Sequence, residues 1–140
     1  VFKEYFAVYG IEVTPSKKTD GDYLVKELEE LEFLKRGFKP TEIEIDGVKH
    51  NWVLAPLALT SVYKPLCWQV ASKVVSSEAQ TISAISSVNR ELWMHGKALF
   101  EERRPELIKA LEELGDFSGI ESFDDISRIY RDDSFATYDT

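Results

Sequence analysis

In Glu42-Ile43-Glu44-Ile45-Asp46-Gly47-Val48-Lys49-His50-Asn51-Trp52-Val53-Leu54, isoleucines alternate with glutamates up to an Asp-Gly pair, and an apolar-rich stretch returns. A period of two puts Ile43 and Ile45 on one face of a strand, with Glu42 and Glu44 on the other. Asp46-Gly47 is a two-residue turn signal, so Val48 to Leu54 reads as the second strand of a β-hairpin. Past Ala55 the period becomes helical and stays so. Pro56 suits a first helical turn, after which Leu57, Val62, Tyr63 and Leu66 can pack. The strongest helix runs from about Ser77 to Trp93, with Ala79, Ile82, Ile85, Val88 and Leu92 on one stripe. Further helices are expected over Lys97 to Arg103 and from Pro105, the latter with Leu107, Ile108, Leu111 and Leu114 inward and Gly115 as its stop. The last stretch, with Phe117, Ile120, Phe123, Ile126, Ile129 and Tyr130 among acids, reads as a short helix plus a docked terminus.

Working back from the hairpin, Phe2, Tyr5, Phe6 and Tyr9 share a helical face that Gly10 is placed to end. Ile11 and Val13 alternate with Glu12 and Thr14 as a short strand ending at Pro15. A polar loop with Lys17, Lys18 and an Asp20-Gly21 turn follows. Leu31, Phe33 and Phe38 mark further extended chain. The fold class is therefore α+β and mostly α. Short β elements and a hairpin occupy 1–55, and a helical bundle with an acidic tail occupies 56–140.

The chain has 140 residues, 44% of them hydrophobic, enough for one domain with a real core and too apolar for intrinsic disorder. Its apolar run from Val53 to Leu59 contains Pro56 and falls far short of a membrane span. One cysteine, Cys67, excludes an internal disulfide and a cysteine-built zinc site, and beside Trp68 it reads as core. His50 and His95, the two histidines, have no partner at ligand spacing and read as structural. No secretory signal opens the chain, which begins at Val1 without Met; a piece of a longer protein is expected. The net charge of −8 opposes a nucleic-acid partner on average. The acidity is uneven, however: net −3 up to Val53, +2 from Leu54 to Arg104, and −7 from Pro105 on. A phosphate-facing surface fits only the first two segments.

Three features carry possible chemistry. Lys18, in a loop after Thr14-Pro15, is either a solvated charge or an ammonium that donates a proton to a phosphate leaving group. Phe33-Leu34-Lys35-Arg36-Gly37-Phe38 sets two cations between apolar residues and a glycine, either a surface turn or a corner aiming charge at an anion. On the long helix, Gln80, Ser83, Ser87 and Arg90 recur at three, four and three, so they share a face away from the apolar stripe. A row of small hydroxyls permits close approach to a nucleic-acid groove or to another protein helix. Arg131-Asp132-Asp133 has the look of paired metal-binding aspartates but lacks strand–turn–strand surroundings, and reads as a solvated tail.

Gly10-Ile11-Glu12-Val13-Thr14-Pro15-Ser16-Lys17-Lys18, followed by Phe33-Leu34-Lys35-Arg36-Gly37-Phe38, resembles motifs D and E of the RNA-dependent RNA polymerases of picorna-like positive-strand RNA viruses. The hairpin, Leu54-Ala55-Pro56-Leu57, Trp68 and Glu91-Leu92-Trp93-Met94-His95-Gly96 look like that family's thumb. The resemblance covers roughly Val1 to Leu114. It implies the end of the palm plus the thumb. The family's metal-binding aspartates lie before motif D, outside these residues, and Asp132-Asp133 comes in the wrong order to replace them.

Carried over, the resemblance makes Lys18, beside Lys17, the lysine that protonates leaving pyrophosphate. It makes Lys35 and Arg36 part of the turn gripping the 3′ end of the nascent strand. Gln80, Ser83, Ser87 and Arg90 would then face the product duplex, an inference from helical periodicity. It implies template-primer RNA, nucleoside triphosphates and the remaining fingers and palm as partners, with Mg2+ bound outside this chain. The implied setting is a membrane-associated replication complex in the host cytoplasm. A non-enzymatic helical protein-interaction module is the alternative, and it expects Gln80, Ser83 and Ser87 to be covered by another protein helix.

Overall fold

The structure, a computed structural model, describes residues 2–12 and 27–133. After a short helix α1 (Phe2–Ala7) and a 3-10 turn (Leu28–Glu30) come strands β1 (Lys39–Ile45) and β2 (Val48–Leu54). Two single-turn helices, α2 (Leu59–Val62) and α3 (Lys64–Cys67), lead to the long helices α4 (Ser77–Trp93) and α5 (Lys97–Glu113), and α6 (Phe123–Asp133) closes the order. The molecule is α+β, with one antiparallel hairpin followed by helices.

The hairpin forms as its alternation dictates. Ile43 pairs with His50 and Ile45 with Val48 around Asp46-Gly47. Asp46 and Gly47 have φ of 51° and 80°, the double left-handed corner that matches the twist of a two-residue hairpin. Ile43, Ile45 and Leu54 are buried while Glu42, Glu44 and Val53 face outward. A two-stranded hairpin cannot shield its own inner face. The helices do so: Ile43, Ile45 and Leu54 share one core with Val62, Ile85, Val88, Leu92, Trp93, Phe100, Leu107, Leu111 and Ile126. That core crosses residue 55 without a break.

Helix α4 starts at Ser76, whose Oγ accepts from the Ala79 N–H at 3.2 Å, with Glu78 in the first turn complementing the helix dipole. Ile85, Val88 and Leu92 are buried as expected, but Ala79 is exposed. The first turn is held by polar contacts instead: Ser77 Oγ donates to Gln69 Oε1 at 2.7 Å, and Gln69 Nε2 donates to the Ser77 carbonyl at 3.3 Å.

Several expectations are corrected. Lys97 to Arg103 and the segment from Pro105 are one helix, α5, which runs through Pro105. Proline deprives the Glu101 carbonyl of its donor, but both residues are exposed, where water can replace the lost bond. Phe100 on one side of the proline and Leu107 and Leu111 on the other anchor the helix in the same core. Leu114 is exposed at the helix end, where Gly115 at φ 82° lets Asp116 N–H reach the Leu111 carbonyl at 2.9 Å and Gly115 N–H the Glu112 carbonyl at 3.0 Å, a Schellman cap. Pro56 opens no helix; its carbonyl accepts from Gly37 N–H at 3.0 Å. Cys67 and Trp68 are exposed, not core, because α2 and α3 last a single turn each and the chain then leaves the packed surface.

Helix α6 opens on a capping box: Ser122 Oγ accepts from Asp125 N–H at 3.2 Å, and Asp125 Oδ2 accepts from Ser122 N–H at 3.1 Å. It lies over Trp93, whose ring stacks on Tyr130 at 4.6 Å between centroids and whose Nε1–H donates to Ser127 Oγ at 2.9 Å. His95 Nε2 donates to the Leu57 carbonyl at 2.6 Å, and His50 sits 5.2 Å from the Trp52 ring, so both histidines are built into the packing.

Two substitutions test this account. Phe100 is fully buried, so Phe100→Ala should cost about 3–5 kcal/mol in urea unfolding followed by tryptophan fluorescence. Pro105→Ala should raise stability by about 2 kcal/mol, the restored helix bond outweighing a freer unfolded chain. A destabilised Pro105→Ala variant would show that the proline serves the packing of α5.

Candidate functional site

The basic corner is built from backbone first. Phe33 N–H donates to the Arg36 carbonyl at 2.9 Å and Arg36 N–H returns to the Phe33 carbonyl at 3.0 Å, enclosing Leu34 and Lys35 at φ 52° and 63°. Both are left-handed without being glycine, a conformation costing on the order of 1–2 kcal/mol per residue. The corner survives because its far side is tied down. Arg36 bridges to Leu57, and Gly37 bonds to Pro56. The Arg36 guanidinium is anchored as well: Nη1 donates to the Ala55 carbonyl at 3.0 Å and to Glu91 Oε2 at 2.9 Å, while Nη2 donates to Glu91 Oε1 at 2.6 Å. The hydrogen bond donated to Glu91 holds the guanidinium above its ordinary pKa. The tip of the corner faces outward, with Phe33 67% and Leu34 78% exposed and Lys35 exposed beside them. Lys35 makes no ion pair with any described residue.

The partner of that corner is the polar face of α4. At about 100° per residue, Gln80, Ser83, Ser87, Arg90 and Glu91 lie within an arc of roughly 100°, nearly opposite the buried Ile85, Val88 and Leu92. Ser83 and Ser87 are exposed and Gln80 half-buried. Ser87 Oγ donates to the Ser83 carbonyl at 3.0 Å, and Gln80 Nε2 to the Val75 carbonyl at 3.3 Å. Glu91 ends the row one turn past Ser87, about 6 Å along the axis. The Arg36–Glu91 pair therefore fastens the basic corner to the end of the serine row.

The other residues separate by their partners. Arg90 Nη2 donates to Glu121 Oε1 at 2.7 Å, which keeps the Glu121 carboxyl below its usual range and the Arg90 guanidinium above its own. Arg90 thus ties α4 to the link before α6. Lys18 and its neighbour Lys17 lie outside the described residues. Two residues to which the sequence alone gives no individual role matter most, Glu91 and Glu121. Glu91 was legible in principle, being the acid eleven positions after Gln80 on the same face.

A second charged cluster lies at the hairpin turn. Asp46 accepts from Arg128 Nη2 at 3.1 Å and Arg131 Nη1 at 2.7 Å, and Arg131 Nε also donates to Asp132 Oδ1 at 2.7 Å. Asp132, expected in a solvated tail, belongs to a helix latched onto the hairpin. Hydrogen bonds from Arg128 and then Arg131 hold the Asp46 carboxyl below its ordinary pKa. Among the described residues no three His, Cys, Asp or Glu side chains are grouped to hold a metal ion, and no helix is long and apolar enough to cross a membrane.

No family model matches the chain, and no curated protein or solved structure is detectably similar to it.

The latch at Asp46 gives a pH prediction. A carboxyl with a lowered pKa stabilises the fold above its unfolded pKa and loses that contribution as pH falls through the folded value. Asp46→Asn, which keeps a residue tolerant of the left-handed turn, should lower the urea midpoint at pH 7. The gap to the unsubstituted chain should narrow as the pH falls past the ordinary carboxylate pKa and close below the lowered pKa of the folded Asp46. A gap of constant size at every pH would mean that the carboxylate charge is not what holds α6 to the hairpin.

Proposed function

We propose that this chain is the C-terminal part of a viral RNA-dependent RNA polymerase: the last palm elements and the thumb, positioning primer and product RNA during template-directed nucleotidyl transfer. The observation that carries the reading is the attachment of the basic corner to the end of the α4 polar row through Arg36 and Glu91. Two features that the sequence singles out separately are thereby fastened to one another.

The two features suit A-form RNA. Its minor groove is wide and shallow and lined with 2′-hydroxyls, which serine hydroxyls at Ser83 and Ser87 and the Gln80 amide can meet without a long side chain intervening. The Lys35 ammonium at the corner supplies a point charge for a backbone phosphate near the primer terminus. Holding that terminus still aligns its 3′-hydroxyl, and phosphoryl transfer depends heavily on such alignment. Lys18 is the candidate proton donor to pyrophosphate. Magnesium neutralises charge on the reacting phosphates in such reactions, and on this reading its carboxylate ligands belong to the palm outside this chain. The remaining palm and fingers, template-primer RNA and nucleoside triphosphates are the partners, in a membrane-associated replication complex of the host cytoplasm.

The chain's binding to a fluorescent A-form RNA hairpin with a 3′ overhang tests this by anisotropy across salt concentrations. Lys35→Ala should weaken binding and flatten the log–log salt dependence by roughly 0.7–0.9, the loss of one phosphate contact. Unchanged affinity in Lys35→Ala would remove the corner from the RNA surface and favour a protein partner on the serine row. In a polymerase carrying this segment, Lys18→Leu should slow single-turnover nucleotide addition by up to about 10²-fold. An unchanged rate would exclude Lys18 from the chemistry.

A further inference from the structure

The two adjacent cations of the corner are not equivalent. Arg36 commits both terminal nitrogens, making a bidentate pair with Glu91 and a further bond to the Ala55 carbonyl. Three of its five N–H bonds are used in this way, and the pair with Glu91, whose side chains are 37% and 24% exposed, fixes where the guanidinium sits. Lys35 is exposed and unpaired among the described residues. Its own backbone and that of Leu34 sit in a left-handed corner that neither residue favours. Such a corner persists only where its surroundings fix it. The contacts that fix it lie on the Arg36 side, and the one reaching α4 ends on Glu91.

Resting on the RNA-surface reading, we infer that Glu91 is a positioning residue and that Arg36 acts through it, not on RNA. Together they hold the corner so that Lys35 stands at a set distance from Ser87 and Ser83. Glu91 is an acid at the edge of a surface meant for phosphate, which plain electrostatics disfavours; its value is geometric.

That conflict of sign makes the inference testable. Removing an acid beside a phosphate-binding surface should by charge alone tighten RNA binding. Freeing Arg36 to reach a phosphate would tighten it further. If Glu91 positions the corner, Glu91→Gln should instead weaken binding of the full chain to the same RNA hairpin by about 3–10-fold, in the range of coupled neighbours. Arg36→Lys keeps the charge but loses the planar fork, and should weaken binding comparably. Glu91→Asp, which keeps the carboxylate, should recover part of the loss. In a Glu91→Gln background, Lys35→Ala should cost less than it does in the unsubstituted chain, a coupling that general destabilisation does not produce. Each variant's folding is checked by its urea midpoint.

Unchanged or tighter binding by Glu91→Gln, with Lys35→Ala still weakening it, overturns this inference and leaves the RNA reading standing. Full retention of affinity by Arg36→Lys overturns it too, since a point charge would then suffice. If Lys35→Ala has no effect in either background, the RNA reading itself fails and takes the inference with it.

Discussion

Trp93 is the point on which the packing converges. It is almost wholly buried, at the end of α4, and it touches each part of the molecule that could not stand alone. Its ring centre lies 6.4 Å from Trp52 on the hairpin, 5.8 Å from Phe123 and 4.6 Å from Tyr130 on α6. Such aromatic pairs contribute about 0.5–1.5 kcal/mol each beyond the area they bury. The indole N–H meets Ser127 Oγ, which in turn donates to the Phe123 carbonyl at 2.8 Å. A two-stranded hairpin and an eleven-residue helix are each marginal in water. Joined on one tryptophan, they acquire a shared core.

Around that apolar centre the charges act as fasteners between elements distant in sequence. Asp46 holds Arg128 and Arg131, so the hairpin turn grips α6. Arg90 meets Glu121, and Arg104 donates to the Ile120 carbonyl at 2.8 Å, so the long helices grip the link before α6. Arg36 meets Glu91, joining the corner to α4. These pairs are partly exposed, and such pairs add little to stability individually. Their effect is on orientation, since a bidentate guanidinium–carboxylate pair fixes angles as well as distance. The cations committed to this internal geometry are arginines, while Lys35 stays outward at the corner.

The local elements were legible where one residue type followed one period. Ile43 and Ile45 against Glu42 and Glu44, closed by Asp46-Gly47, gave the hairpin with its register. The α4 stripe and its polar face were equally plain. Pro105 misled, because a proline in a sequence marks a break without revealing whether the helix is anchored on both sides of it. Cys67 and Trp68 misled for the opposite reason: apolar character shows what could be buried, and no described element covers them.

By itself, then, the sequence determined the elements whose causes lie within a few residues: the alternation, the turn, the caps and the faces of α4. It also singled out the basic corner by its lettering, Phe33-Leu34-Lys35-Arg36-Gly37-Phe38. Only the tertiary structure decided what each cation does. Lys35 and Arg36 are neighbours of the same charge, and nothing local distinguishes them. The left-handed corner separates them, leaving Lys35 outward while Arg36 faces Glu91, fifty-five positions away, which no short-range pattern can encode.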